Sequence, residues 1–223
     1  MSISTYYICF PFLILILKTV DVSFSYTKES SFSFPDIELN DDESLLILGK
    51  SGIGKTTLLH LLAGILSPDN GSIIINEKDI TKISSKNLDA FRGKNIGLIF
   101  QNTIAISSLT VYENLQARLY FSGITDQKEA IENILTQLDL VSVKNQKPNT
   151  LSTGQLQRLG IALGVIHKPN IILADEPTSS LDDENSELVI TLLKTQAKKS
   201  NANLIIITHD NRIKSSFSNT LVL

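Results

Sequence analysis

The stretch Gly49-Lys50-Ser51-Gly52-Ile53-Gly54-Lys55-Thr56 has the spacing G-x-x-x-x-G-K-[ST]. Glycines let a backbone turn its N–H groups inward around phosphate oxygens, and a helix starting at the end of that turn adds its positive dipole end. In such a loop Lys55 reaches the β- and γ-phosphates and the Thr56 hydroxyl ligates Mg²⁺, with Thr57 next to them among the nucleotide contacts. A chance glycine turn is the competing reading. The apolar LLIL before the loop and TLLHLLAGIL after it supply the strand–turn–helix context that argues against chance. A second group is Ile171 to Glu176, IILADE, an apolar run ending in two adjacent carboxylates. A buried strand seldom ends in charges unless they are used. Asp175 at the strand tip suits Mg²⁺, and Glu176 suits polarising a water that attacks the γ-phosphate. Alone, this reads equally well as a solvated strand end before Pro177; beside a phosphate loop the catalytic reading is the stronger. A third group is Leu151-Ser152-Thr153-Gly154-Gln155, which opens a helix with a Ser152/Gln155 capping box. Its bland reading is an ordinary helix cap, yet such a start aims free N–H groups and a dipole at one point. Two phosphate-directed helix starts but one phosphate loop point to a site shared between two chains.

The elements that must position these groups read as an α/β core. Lys18 to Tyr26 alternates apolar and polar residues, and Phe32 to Leu39 and Leu45 to Leu48 are also strand-like. An apolar helix over Thr56 to Leu66 ends at Ser67-Pro68-Asp69-Asn70-Gly71. Strands are expected at Ser72 to Asn76 and Ile96 to Phe100, the early ones antiparallel. Thr110 with Glu113 caps a helix running to Gly123, and Asp126 with Glu129 opens another reaching about Leu140. The helix from Ser152 runs toward His167. Asn170 to Ala174 and Leu204 to Thr208 are apolar runs of the buried parallel type, separated by a helix from about Asp183 to Lys199. Helices without strands fill the region from Gln101 to about His167, so residues of about 102–167 are expected to form a helical subdomain within one domain of residues 18–223.

Composition narrows the class. The 223 residues are 42% hydrophobic and 19% charged, enough to bury a core without staples. One cysteine excludes an intramolecular disulfide framework and any multi-cysteine metal site. A net charge of −3 argues against a nucleic-acid-binding surface. No internal repeat is present. Residues 1–17 stand apart. Tyr6 to Leu17 is an apolar run of about a dozen residues, shorter than the roughly 20 a bilayer span needs. No Lys or Arg precedes it, as a signal peptide would require, and Cys9 sits too early to be a lipidated cysteine. An interfacial anchor, a strand-forming extension and a start site placed too early are the three readings. The last is preferred, because a domain could begin near Ile16–Leu17; a native intact mass beginning at Met1 would contradict it.

In this order the motifs resemble the ATP-binding subunit of ABC transporters over nearly the whole chain, from about Lys18 onward. The phosphate loop at Gly49–Thr56 is followed by a glutamine after a strand at Gln101 and the signature LSTGQ at Leu151–Gln155. Then come the carboxylate strand at Ile171–Glu176, SSLD at Ser179–Asp182 and a histidine after a strand at His209. Six motifs in order are far more specific than any one. The resemblance implies a RecA-like core with an N-terminal antiparallel β-subdomain and a helical subdomain, and an ATPase using ATP and Mg²⁺. It also implies a head-to-tail pair of subunits, expected to be a homodimer, driving an integral-membrane permease from the cytoplasmic face as a peripheral protein. On the same ground Ser152 and Gly154 meet the γ-phosphate in trans, with Gln155 among the nucleotide-binding residues, and Gln101 senses Mg²⁺ and the attacking water and couples to the membrane subunit. Asp182 bridges the two sites, and His209 contacts the γ-phosphate. Tyr26, ending FSY, resembles the family's adenine platform, where stacking gives about 1–3 kcal/mol per base; by itself a tyrosine closing a strand is more often structural. His60 and His167 are read as structural.

Three departures accompany the resemblance. Thr153 stands where the family usually has glycine, the usual signature-helix arginine is absent from Ala162-Leu163-Gly164, and no further strand is expected after His209. None removes a catalytic group, so a working though slow ATPase is expected. The compact length, IGLIFQN, SLTVYENL and ILADEPTSSLD look most like the lipoprotein-releasing, macrolide-export and cell-division branch. The runner-up is a soluble single-cassette ATPase of the cytosolic iron–sulfur assembly type. Repair-type relatives need coiled coils between the first motif and the signature, and no heptads occur there.

Overall fold

The computed structural model describes residues 15–27, 30–125, 127–179 and 181–223. The first strand, β1 (Leu15–Thr27), begins three residues before Lys18, and Leu17 is buried. The rest of the apolar run before it lies outside the described residues. The expected strand Phe32 to Leu39 is two strands, β2 (Ser30–Ser33) and β3 (Glu38–Asn40), parted where Pro35 removes a ladder donor. β4 (Ser44–Leu48) leads into the glycine loop and α1 (Lys55–Leu62). β5 (Asn70–Ile75) and the two-residue β6 (Lys78–Asp79) complete an antiparallel sheet in the order β2-β1-β5-β6, with β3 also paired to β1. α2 (Ser85–Asn95), which the sequence pattern does not announce, precedes β7 (Ile96–Ile99).

The helices between follow the sequence signals closely. α3 (Val111–Phe121) carries a complete Thr110/Glu113 capping box, and α4 (Lys128–Gln137) begins after Gln127; the Asp126 expected to open it lies outside the described residues. α5 (Thr153–Val165) has its Ser152/Gln155 box fully formed. β8 (Ile171–Asp175), α6 (Asp183–Ser200) and β9 (Asn203–Thr208) follow. The expectation of no strand after His209 is corrected: β10 (Asn219–Val222) pairs in parallel with β4. Its four residues are short and half exposed at the sheet edge, too little for a periodic signal.

The second sheet is parallel throughout, in the order β10-β4-β9-β8-β7. Its central strands are apolar on both faces because both faces are covered. Leu46, Leu48, Ile172, Ala174, Leu204 and Ile206 face the core shared with α3, α4, α5 and α6. Leu45, Ile47, Ile171, Leu173, Ile205 and Ile207 face α1 and the antiparallel sheet. The two-residue alternation of a strand thus divides one apolar run between two cores. Parallel alignment also places the carboxyl ends of β4, β9, β8 and β7 side by side, where open α/β sheets bind ligands.

Candidate active site

Each strand end delivers one part of the site. The loop after β4 turns through Gly54, at φ 102°, which caps α1. A Cβ there would be strained by the backbone and would lie 2.6 Å from the Phe32 ring, so the position needs glycine. Lys55 follows, buried, its Nζ donating to the carbonyls of Gly49 at 2.8 Å and Lys50 at 3.0 Å. The same ammonium lies 3.5 Å from Glu176 Oε1. Its bonds tie the end of the loop back to its start.

The end of β8 supplies the carboxylates. Asp175 Oδ2 accepts from the Thr56 hydroxyl at 3.1 Å, while Asp175 Oδ1 is buried with no hydrogen-bond partner. Burial, outweighing the Thr56 bond, pushes this carboxyl above its ordinary range, and the neighbouring Glu176 charge adds to the shift. A half-buried, half-satisfied carboxylate beside a hydroxyl is a hard-oxygen pair suited to Mg²⁺, which takes one or two carboxylates plus substrate phosphates. Among the described residues no three His, Cys, Asp or Glu side chains gather into a cage. The residues present therefore fit a metal delivered with a nucleotide rather than a resident one.

Glu176 stands at φ 49°, in the left-handed region. Non-glycine residues there carry of order 1–2 kcal/mol of strain, which the neighbours must hold in place. They do so at the end of β9. The Thr208 hydroxyl donates to Oε2 at 2.7 Å, the His209 amide lies 3.2 and 3.3 Å from the two oxygens, and His209 Nδ1 lies 2.9 Å from Oε1. An ionised carboxylate only accepts, so Nδ1 carries the proton and Nε2 is the nitrogen left for a ligand. Burial acts to raise the Glu176 pKa, but the bonds from His209 and Thr208 outweigh it and leave the carboxyl below its usual value.

One cleft of about 540 Å³ joins Ser51, Gly52, Gly54, Lys55, Thr56 and Thr57 to Gln101, Glu176 and His209. Phe32 forms part of its wall, a role no sequence signal marks, since it arises from the ring packing on Gly54. Gly49, Lys50 and Ile53 belong to the loop behind it, with Ile53 Cγ2 beside Gly49. Tyr26 is exposed, its hydroxyl 3.3 Å from Thr57 Oγ1, its ring packed edge-on to Phe24 and Phe32. Ser152, Gly154 and Gln155 are absent from the cleft wall. Ser152 and Gly154 are exposed and Gln155 half-buried at the start of α5, with open space around Gly154. Asp182 is likewise outside the cleft, capping α6 through the Asn185 amide at 2.9 Å; its neighbour Ser180 lies outside the described residues.

Comparison with known proteins is consistent with this geometry. A family model described as ABC transporter matches residues 34–179. The chain is 41% identical over 207 residues to the ABC transporter ATP-binding protein YtrE of Bacillus subtilis (strain 168), covering 89% of this chain and 90% of that protein. It is 36% identical over 190 residues to the lipoprotein-releasing system ATP-binding protein LolD of Legionella pneumophila (strain Lens), covering 84% of each. A solved dimeric ATP-binding cassette, MJ0796 in a post-hydrolysis state with ADP and Pi, superposes with a TM-score of 0.81 at 30% identity, over 93% of this chain and 94% of that one. The chain belongs to the ABC transporter family, as an ATP-binding and ATP-hydrolysing subunit.

Proposed function

We propose that two copies of this chain close head-to-tail on two ATP molecules, each site completed by Ser152, Gly154 and Gln155 from the opposite copy, and drive a membrane permease. The observation that carries the reading is the division of the site. One cleft gathers Lys55, Thr56, Gln101, Glu176 and His209. The other anion-directed helix start, at Ser152, is exposed and lies outside the wall of that cleft. Such a helix start, its positive dipole end turned to solvent, is suited to receive a phosphate brought by the other copy.

In this mechanism Lys55 exchanges the Gly49 and Lys50 carbonyls for phosphate oxygens, which also draws its charge away from Glu176. Glu176, ionised at neutral pH and held by Thr208 and His209, accepts the proton of the attacking water. His209 reaches the γ-phosphate through Nε2, and Gln101 orients the water. Thr56 and Asp175 would hold Mg²⁺, which when bound neutralises charge on the β- and γ-phosphates. Thr57 and the loop amides of Lys50, Ser51, Gly52, Ile53 and Gly54 line the phosphates, Gly49 starts the turn, and Tyr26 stacks on the base. Asp182 sits where the two copies meet. In this reading one domain of residues 18–223 carries all these groups, with a helical subdomain over about 102–167.

Among the described residues no helix is long and apolar enough to cross a membrane. In this reading the permease is its integral-membrane partner, and this subunit works peripherally at the cytoplasmic face, where ATP is supplied. The relatives' names favour a transport system over the iron–sulfur assembly alternative, and LolD's name favours the lipoprotein-releasing branch. A pull-down of tagged Glu176→Gln protein with ATP from detergent-solubilised native membranes tests this. A co-purifying integral-membrane protein is the expected result; a dimer with cytosolic partners only would support the assembly alternative.

A further inference from the structure

Arg118, on α3 and largely buried, has all five guanidinium N–H groups engaged. Nε donates to the Leu163 carbonyl on α5 at 3.2 Å. Nη1 donates to the Gly93 carbonyl at 3.1 Å and to Ser122 Oγ at 2.8 Å. Nη2 donates to the Ile96 carbonyl at 3.3 Å and to His167 Nε2 at 2.8 Å. A guanidinium can only donate, so His167 presents its Nε2 lone pair and keeps its proton on Nδ1. That nitrogen is buried without a partner, a cost accepted to provide the acceptor. Burial and the adjacent Arg118 charge hold His167 neutral, its pKa pushed down to about 3.

From this anchor, α5 lies backbone-on-backbone against β7 and the segment after it. A Cβ on Gly97 would sit 2.1 Å from the Gly164 carbonyl oxygen, and one on Gly160 would sit 2.6 Å from Thr103 Oγ1. Thr103 Oγ1 in turn donates to the Leu156 carbonyl at 3.1 Å, and Gln157 Nε2 donates to the Pro177 carbonyl at 2.8 Å. The Ile99 and Thr103 side chains pack directly against Gly164 and Gly160, leaving no room for a Cβ at either glycine. We propose that Arg118 is a positioning residue, locking the far end of α5 to α3 and to the start of β7 so that the helix start at Ser152 is held in register for the opposite copy. The proposal rests on the shared-site reading above.

The test places Arg118→Ala and Arg118→Lys in the full-length Glu176→Gln chain, with Ser152→Phe in the same background as control. ATP affinity is read by calorimetry at low protein concentration, and ATP-induced dimerisation by sedimentation. Arg118→Ala should bind ATP within about two-fold of its parent yet dimerise about ten-fold more weakly, with Arg118→Lys between them because an ammonium has three donors rather than five. A purely structural role would leave both constants unchanged at temperatures where the variant is folded. Dimerisation of Arg118→Ala within about two-fold of the parent, while Ser152→Phe abolishes it, would overturn the proposal alone. Normal dimerisation of Ser152→Phe would overturn the shared-site reading beneath it. Should Arg118→Ala fail to fold, Arg118→Lys decides by the same criterion.

Discussion

At the scale of single residues, the site keeps charge where water and phosphate will need it. Glu176 occupies a strained left-handed conformation and is held there by Thr208 and His209. Glu176→Gln keeps the shape and removes the base, so turnover should fall by about 10²–10⁴-fold while ATP still binds; steady-state phosphate release checks this. Lys55→Ala removes the charge-assisted donor proposed to reach the phosphates and should weaken ATP binding by about 10²-fold in calorimetry. Asp175 behaves differently because its burial works against its own charge. With a folded pKa above the unfolded one, its stabilising contribution is present at low pH and is lost as pH rises through the folded value. Asp175→Asn, which keeps an acceptor for Thr56, should therefore melt at or above the wild-type temperature at neutral pH without nucleotide. It should also lose the extra protection that Mg²⁺ with ATP gives the wild type.

At the scale of elements, the chemistry depends on strands whose backbones touch helices directly. Gly97→Ala would push a methyl group into the Gly164 carbonyl, moving α5 off β7. The expected cost is about 1–3 kcal/mol or more, measured by denaturant unfolding, because only a backbone shift can relieve the clash. What the sequence reveals at this scale follows the physics of burial. β8 and β9 are legible as continuous apolar runs because helices or a second sheet cover both their faces. α3 and α5 are legible from capping boxes, since Thr110 and Ser152 bond their own third residues. α2 is illegible because none of its eleven residues is fully buried and only Leu88 and Phe91 pack against the core, too narrow a stripe to read. The strand reading across Phe32 to Leu39 fails at Pro35 for want of an amide.

At the scale of the whole molecule, the motifs that announce themselves do so through local geometry, a loop, a cap or a strand end. Phe32 and Arg118 do not, because their positions come from contacts between segments far apart in sequence. The same distinction separates the two halves of the site. Lys55, Asp175, Glu176 and His209 meet because parallel strands end side by side. Ser152, Gly154 and Gln155 stand apart, at the start of α5 and outside the cleft wall. The most direct test of this account is sedimentation of Glu176→Gln protein with and without ATP, with bound nucleotide counted. The account predicts a monomer without ATP and, with ATP, a dimer holding two ATP, lost again on Ser152→Phe substitution. A protein that binds ATP through Lys55 yet stays monomeric would contradict it.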